Sequence, residues 1–577
     1  NIFGEKYGTD TTKRLDGEQL DRLFYFISKL KEKGVYIYMD LMAYRMILPM
    51  DGIEDTGGAM MCAESNFSEQ MIDLQKLYVK QLLTEINPYT GIALKDDPAI
   101  VFMAINNENG ITELTEGAYR NEEAYKKEYY ANILNDKFNG WLKNKYTAHA
   151  NLSAAWGQPV NGNLDGGSVV FDYKYAKSTD YTDEAKKDMD RFVYYLQGEM
   201  YKTMVDYLKN TLGGKCLVTG TTLGLGAQNA VTMAACDEFT DYVDNHSYNS
   251  HPTNWFNNGS TFQGMGSSAG YGVNMFWRAG YYRTQKPYVI SEYQECIPNE
   301  YGAETEPMMA VIASFQNWYP LNYCMRADGQ TVNYLYDAFQ TYNSPARTAV
   351  QPSSAMIYHR KDVKEADMSL EIPAIRDNII TKTYAEWPET SKIQYGLFTD
   401  YAKARYVLMD KDEYDSYDKS EFNAADTILK KKIKNKETVI NDQIVWERDN
   451  SLIKVTTDKS NLVTGNTKNV SYESDAMTIS INNDISTITL VSLDDKKLSE
   501  SGHMLLTAAA REKNTGMTFD ENNSGHMLTK GNAPILTEAV NASVTIKTNS
   551  DIAVFALDSS GRKAQAVETM RTSGGYT

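Results

Sequence analysis

The chain has 577 residues, with 58 basic against 76 acidic side chains and a formal charge of −18. An acidic surface repels phosphate backbones, which argues against a nucleic-acid partner. No run reaches the roughly 18 uncharged apolar residues of a membrane helix, and 42% hydrophobic with 11% aromatic residues speaks against disorder.

The elements alternate from the start. Asp16 and Gln19 have capping-box spacing. Leu20, Leu23, Phe24, Ile27 and Leu30 then recur at helical spacing, and Gly34 stops the helix. The apolar run 35–41 reads as a strand buried on both faces, as in a parallel sheet. A helix near 68–86 ends at Asn87-Pro88, and a strand follows at 99–105. Helices near 121–147 and 184–212 precede strands at 215–220, near 241–246, near 287–291 and around 321–325. This order predicts an α/β fold with a parallel sheet.

Beyond residue 365 the texture changes. Residues 410–436 are dense in charge and read as a solvated loop or a charged helix. Asp410, Asp412 and Asp415 faintly resemble a calcium loop, without the glycine such a loop needs. From Val439 short alternating runs separated by turn residues predict a β-sandwich. The expected division is a barrel over 1–365, a connecting segment over 366–436 and an accessory β-sandwich over 437–577.

The five cysteines, Cys62, Cys216, Cys236, Cys296 and Cys324, are widely spaced and include no CxxC pair. They read as buried small hydrophobes rather than a disulfide framework. The glycine-rich stretch 219–226 matches no phosphate-binding fingerprint, and no HExxH motif occurs. His246 and His251 read as an active-site polar pair rather than metal ligands, so no metal and no cofactor are expected.

Reactive groups of parallel barrels sit at the carboxyl ends of strands. Those ends carry Asn107-Glu108, His246-Ser247-Tyr248 and Ser291-Glu292-Tyr293, with Trp318 in the last strand region. Two carboxyl groups across a cleft suit glycosidic-bond cleavage, one donating a proton and one attacking or activating water. A flat aromatic is wanted beneath the sugar: Trp318 first, Trp255 and Trp277 after it.

This ordered set resembles the retaining glycoside hydrolases of clan A, nearest in style to family 5, the cellulase and mannanase type. The stretch from Phe138 to Tyr146 with Ala155-Trp156-Gly157, and Lys286 to Glu292, resemble segments of large bacterial members with a C-terminal β-domain. The resemblance implies a (β/α)8 TIM barrel and a β-linked oligo- or polysaccharide cleaved by double displacement. Glu108 would be the acid/base and Glu292 the nucleophile. Asn107 would bind the sugar 2-hydroxyl, Tyr248 would donate to Glu292, His246 would line the site and Trp318 would form its floor. Asn109 stands where the family usually has proline, and Gln294 where it often has asparagine. The family's first two strands, with an arginine that supports the nucleophile, have no counterpart in the sequence and are expected upstream of Asn1. The partner would be a carbohydrate, and an extracellular or cell-surface place suits a polysaccharide-degrading enzyme. The alternative is a catalytically inactive carbohydrate-binding protein on the same fold.

Overall fold

The structure is a computed structural model. It describes residues 2–3, 10–42, 45–54, 63–111, 128–222, 229–271, 275–280, 282–321, 333–381, 397–572 and 574–577. Cys62 and Cys324 lie outside the described residues, as does most of the predicted 321–325 strand.

Helix α1 (Gly17–Glu32) starts where Asp16 accepts a hydrogen bond from the Gln19 amide at 3.0 Å. Its apolar side, with Leu20, Phe24 and Ile27, is buried. Strand β1 (Ile37–Asp40), helix α2 (Glu69–Thr84) and strand β2 (Ile100–Asn106) follow. Helices α3 (Glu128–Tyr146), α4 (His149–Trp156) and α5 (Asp183–Asp206) occupy the long stretch before β3 (Leu217–Thr221). Their aromatic contacts, with Phe138, Phe171 and Phe192 packed ring on ring, form a separate apolar cluster. Then come α6 (Asn229–Phe239), β4 (Val243–Asn249), α7 (Met275–Gly280), β5 (Tyr288–Glu295), α8 (Thr305–Gln316), β6 (Tyr319–Pro320) and α9 (Pro345–His359).

Strands β1, β2 and β3 pair in parallel, and so do β4, β5 and β6. The two ladders adjoin, because the Asp241 amide donates to the Val218 carbonyl at 2.9 Å. Phe102 on β2 touches Tyr38, Tyr242 and the distant Tyr319 on β6, with ring centroids 6.2, 5.0 and 6.3 Å away. The six strands therefore curl around a shared interior. Among the described residues no strand pairs with the outer edges of β1 and β6.

Residues 366–436 are more than a connector. Strands β7 (Ser369–Ile375) and β8 (Lys403–Met409) pair in parallel, with α10 (Arg376–Thr381), α11 (Lys411–Ser416) and α12 (Ser420–Lys434) around them. The charge-dense stretch is thus helical, and Asp415 pairs with Lys411 at 2.5 Å on α11 instead of shaping an ion loop.

The C-terminal part is a β domain that includes two five-stranded antiparallel sheets. One holds β9 (Ile444–Glu447), β10 (Leu452–Thr456), β11 (Ser460–Asn466), β14 (Ile485–Ser492) and β15 (Met504–Ala509). The other is built on β12 (Ser471–Glu473), β13 (Met477–Ile481) and β20 (Ala542–Ile546). Leu452, Val463, Met477, Ile479, Ile488 and Leu490 fill the space between them. The first sheet also joins the core of the parallel strands through Ile444, Trp446, Ile453 and Val491. At that junction Arg448 makes a buried two-pronged pair with Asp400 while lying 3.8 Å from the Trp446 ring centroid and 4.6 Å from that of Trp277. A hairpin, β17 (Thr518–Asp520) with β18 (Asn523–Thr529), meets the loop that follows β4, where Thr261 bridges His526.

Candidate active site

The site assembles where β2, β4 and β5 end. Glu108 leaves β2 with a left-handed backbone (φ 44°). That conformation is costly for a side-chain-bearing residue. It is held by the end of β3: the Thr222 hydroxyl accepts from the Glu108 amide at 2.9 Å, and the Thr221 hydroxyl accepts from the Asn109 amide at 3.0 Å. The Asn107 side-chain oxygen accepts from the Thr222 hydroxyl at 3.2 Å. Asn109, where proline was the expected residue, is buried and donates through its side-chain amide to Ser65 at 2.8 Å.

Strand β5 carries a bulge against β4, with Asn245 opposite Ile290 but His246 opposite Glu292. A bulge re-aims side chains. Here it lets both Ser291 and Glu292 face the interior. His246, 3% exposed, bridges the groups. Its Nδ1 lies 2.6 Å from Glu108 Oε1 and 3.4 Å from Glu292 Oε2, and its Nε2 lies 2.9 Å from the Ser291 hydroxyl. The Tyr248 hydroxyl donates to Glu292. Burial alone would lower the His246 pKa, but the charges of Glu292 and Glu108 outweigh it and raise it to about 9. One proton is thus held between two carboxylates. Single ligand atoms of Glu108, His246 and Glu292 all lie within 4.8 Å of one another, a set that could also hold a divalent cation. His251 is outside that set; its ring sits edge-on to Tyr248 at 6.0 Å.

Beneath this layer lie two more acids. Asp244 is fully buried, accepts from the Ser291 amide at 3.0 Å and from the Tyr38 hydroxyl, and burial lifts its pKa to about 6. Asp40, at the end of β1, is pushed by burial to about 7. Sequence reasoning missed both, although Asp40 follows an apolar run as Glu108 and Glu292 do.

Trp318 is a correction. It precedes β6 instead of following it, so it lies at the opposite end of the strand from the site. It is fully buried, edge-on to Tyr288 at 5.9 Å, with its amide bonded to the Ala313 carbonyl at 2.9 Å. Trp277 is corrected too, since it packs on Arg448 and donates to Asp400 at 3.2 Å. Trp255 remains as an aromatic at the rim. It is 58% exposed, has φ 49°, and sits edge-on to Phe339, which in turn touches Tyr248 and His251. The loop that carries it is gripped by the C-terminal hairpin. The Phe262 amide donates to the Gly525 carbonyl at 2.7 Å, and the Met527 amide to the Ser260 carbonyl at 2.9 Å. A Cβ at Gly525 would come 2.5 Å from the Phe262 carbonyl oxygen, so only glycine allows this approach.

No family model and no curated protein matches the chain. Solved structures resemble it loosely. An agarase is 13% identical with a TM-score of 0.36, over 58% of this chain and 46% of the agarase. A β-galactosidase from the haloarchaeon Halorubrum lacusprofundi is 11% identical with a TM-score of 0.46, over 93% and 82%. An endo-1,4-β-D-mannanase from Thermotoga petrophila RKU-1 is 13% identical with a TM-score of 0.33, over 58% and 80%. The chain thus spans less than half the length of the agarase. At these scores the likeness is too loose to carry a substrate or a mechanism to this chain.

Proposed function

We propose that the protein is a retaining β-glycosidase acting on a β-linked oligo- or polysaccharide by double displacement, as clan A enzymes of the family 5 type do. The observation that carries this reading is the approach of the Glu108 and Glu292 carboxylates, with ligand oxygens within 4.8 Å of each other. Retaining pairs stand about 5–5.5 Å apart, whereas inverting pairs need about 6.5–9.5 Å to admit a water. Glu292 attacks the anomeric carbon, and the bond to the leaving oxygen breaks as Glu108 passes on to it the proton that it shares with His246 Nδ1 at 2.6 Å. Glu108 then takes a proton from water, which displaces Glu292 and regenerates the carboxylate. The Tyr248 hydroxyl donates to Glu292, and the His246 ring stands 3.4 Å from it, so both orient it for attack. Asn107 is placed to meet the sugar 2-hydroxyl, and Trp255 offers a platform for a further sugar.

The fold reading that goes with this function is a (β/α)8 barrel. Two further parallel strands, wherever in the polypeptide they are encoded, would cover the edges of β1 and β6 that no described strand pairs with, and the exposed Phe26 and Tyr36 beside them. That open flank also favours the second reading, a carbohydrate-binding protein without turnover.

Aryl β-glycosides test both. Turnover is expected, with the β-anomer as the first product by proton NMR. Glu292→Ala is expected to lose at least about 10³-fold in kcat. An α-anomer would replace retention by inversion. Binding by the wild type without any release of the aryl group would favour the second reading.

A further inference from the structure

Asp244 is a fully buried acid that the proposed reaction leaves without a task. Holding a carboxylate away from water is costly unless donors surround it. Asp244 has them. It accepts from the Tyr38 hydroxyl on β1, and from both the amide and the hydroxyl of Ser291 on β5, the amide at 3.0 Å. The Tyr38 and amide bonds tie three strands together and would serve the fold by themselves. The hydroxyl bond reaches further, because the Ser291 oxygen also stands 2.9 Å from His246 Nε2. Ser291 is the residue that the bulge in β5 leaves without an opposite number on β4. The irregularity of the ladder thus falls at the hydroxyl that joins Asp244 to His246.

The chemistry of these groups fixes the direction of each bond. A hydroxyl has one proton to give and two lone pairs to accept with, and an ionised carboxylate can only accept. The Ser291 proton therefore points to Asp244, and its oxygen accepts from the imidazole. This keeps a proton on His246 Nε2. The other ring nitrogen, Nδ1, faces Glu108 Oε1 at 2.6 Å. As imidazolium the ring donates to the Glu108 carboxylate; as neutral imidazole it accepts from the Glu108 carboxylic acid. In either state one proton lies between Nδ1 and Glu108. The acids around the ring are Glu108 at the end of β2, Glu292 on β5, Asp244 on β4 and Asp40 on β1. Glu108 and Glu292 face Nδ1, whereas Asp244 acts from the Nε2 side through Ser291. Tyr38 and Tyr242 lie beside Asp244.

We propose that Asp244 and Ser291 are positioning residues of the reaction: acting through His246, they keep a proton between Nδ1 and Glu108 for delivery to the leaving oxygen. This rests on the glycosidase reading above. Burial lifts the Asp244 pKa only to about 6, so this acid is ionised over the range in which His246, at about 9, still holds its proton.

Asp244→Asn and Ser291→Ala test the relay against wild type. Asparagine removes the charge and can donate to Ser291, which frees the hydroxyl to turn toward Nε2; alanine cuts the chain. NMR of protein carrying 15N-labelled histidine reads the ring nitrogens from pH 6 to 10, with His246→Gln identifying the signals. The His246 pKa is expected to fall by about one pH unit in either variant. On an aryl β-glycoside the alkaline limb of kcat is expected to move down with it, so that the deficit against wild type is about 10-fold larger at pH 10 than at pH 6.5. The double variant is expected to move the limb no further than Asp244→Asn alone, because both changes cut one chain. A lower kcat at every pH with the alkaline limb in place would make Asp244 a support of the fold only and overturns the proposal. An unmoved His246 pKa overturns it too, and that titration needs no substrate, so it leaves the glycosidase reading standing. Absence of turnover by the wild type on every aryl β-glycoside overturns both. Should Asp244→Asn fail to fold, Ser291→Ala decides, since it removes only a hydroxyl from a half-buried side chain.

Discussion

His246 sets the electrostatic state of the site. Its pKa is raised to about 9 from an ordinary value near 6.5. The folded protein therefore keeps a proton that the unfolded chain releases. This stabilisation is complete below about pH 6.5 and is lost as pH rises through about 9. Thermal melts from pH 6 to 10 are expected to show that decline, and His246→Gln to flatten it. Activity should fall on the same alkaline limb, because the site then loses the cation that lies against Glu108 and Glu292. Asp40 works the other way round. Its raised pKa, about 7, means that the folded state favours the neutral acid. Stability from this group is present below its unfolded value near 4 and is lost as pH rises to about 7. Asp40→Asn is thus expected to raise the melting temperature at pH 8 relative to wild type, with a smaller effect at pH 4.

Behind β5 the elements are tied together by acids rather than by apolar contacts alone. Glu295 ends the strand that carries Glu292, and Glu304 stands at the start of α8; both are fully buried. The Ser268 amide donates to Glu304 at 2.6 Å and to Glu295 at 3.1 Å, and the Ser267 hydroxyl lies 2.9 Å from Glu304. Burial and the Glu295 charge push the Glu304 pKa well up, so Glu304 keeps its proton and donates it to Glu295. Glu304→Gln can still donate and is expected to cost less than about 1 kcal/mol. Glu304→Ala leaves Glu295 short of a partner and should cost about 1–3 kcal/mol, read by urea unfolding.

The legibility of these elements in sequence was uneven, for physical reasons. Asp16 and the α1 stripe were readable because capping and helical periodicity are local. Glu108 and Glu292 were readable because each follows an uninterrupted apolar run. The bulge at Ser291 and the left-handed Glu108 were not, since both depend on partners more than forty residues away. Trp318 misled because an aromatic beside a strand reads alike at either end of it. Asp40 was overlooked although its strand was found, because an acid ending a short strand looks like an ordinary surface charge.

At the scale of the molecule, the parallel strands and the C-terminal sheets share one apolar core, and the Arg448–Asp400 pair sits in their junction. Breaking a buried pair from one side costs about 3–5 kcal/mol, because the other charge is left uncompensated. Arg448→Met is expected to cost that much in urea unfolding, and Arg448→Met with Asp400→Leu to cost less than Arg448→Met alone. If the two parts unfolded independently, a first transition at unchanged midpoint would remain in both variants. Removal of residues 437–577 is expected to leave the remaining α/β part aggregation-prone, because Trp277 and the rest of the junction face then meet water.

The grip of β17 and β18 on the loop that bears Trp255 has a temporal side. Glu108, His246 and Glu292 are made early, but their outer wall waits for residues 518–529, which leave the ribosome more than two hundred residues after Glu292. A chain still being synthesised therefore has its reacting groups before it has the rim that would seat a long glycan. On the glycosidase reading, competence toward extended substrates would arrive as a late step, once residues 518–529 are in place, with competence toward single sugars preceding it.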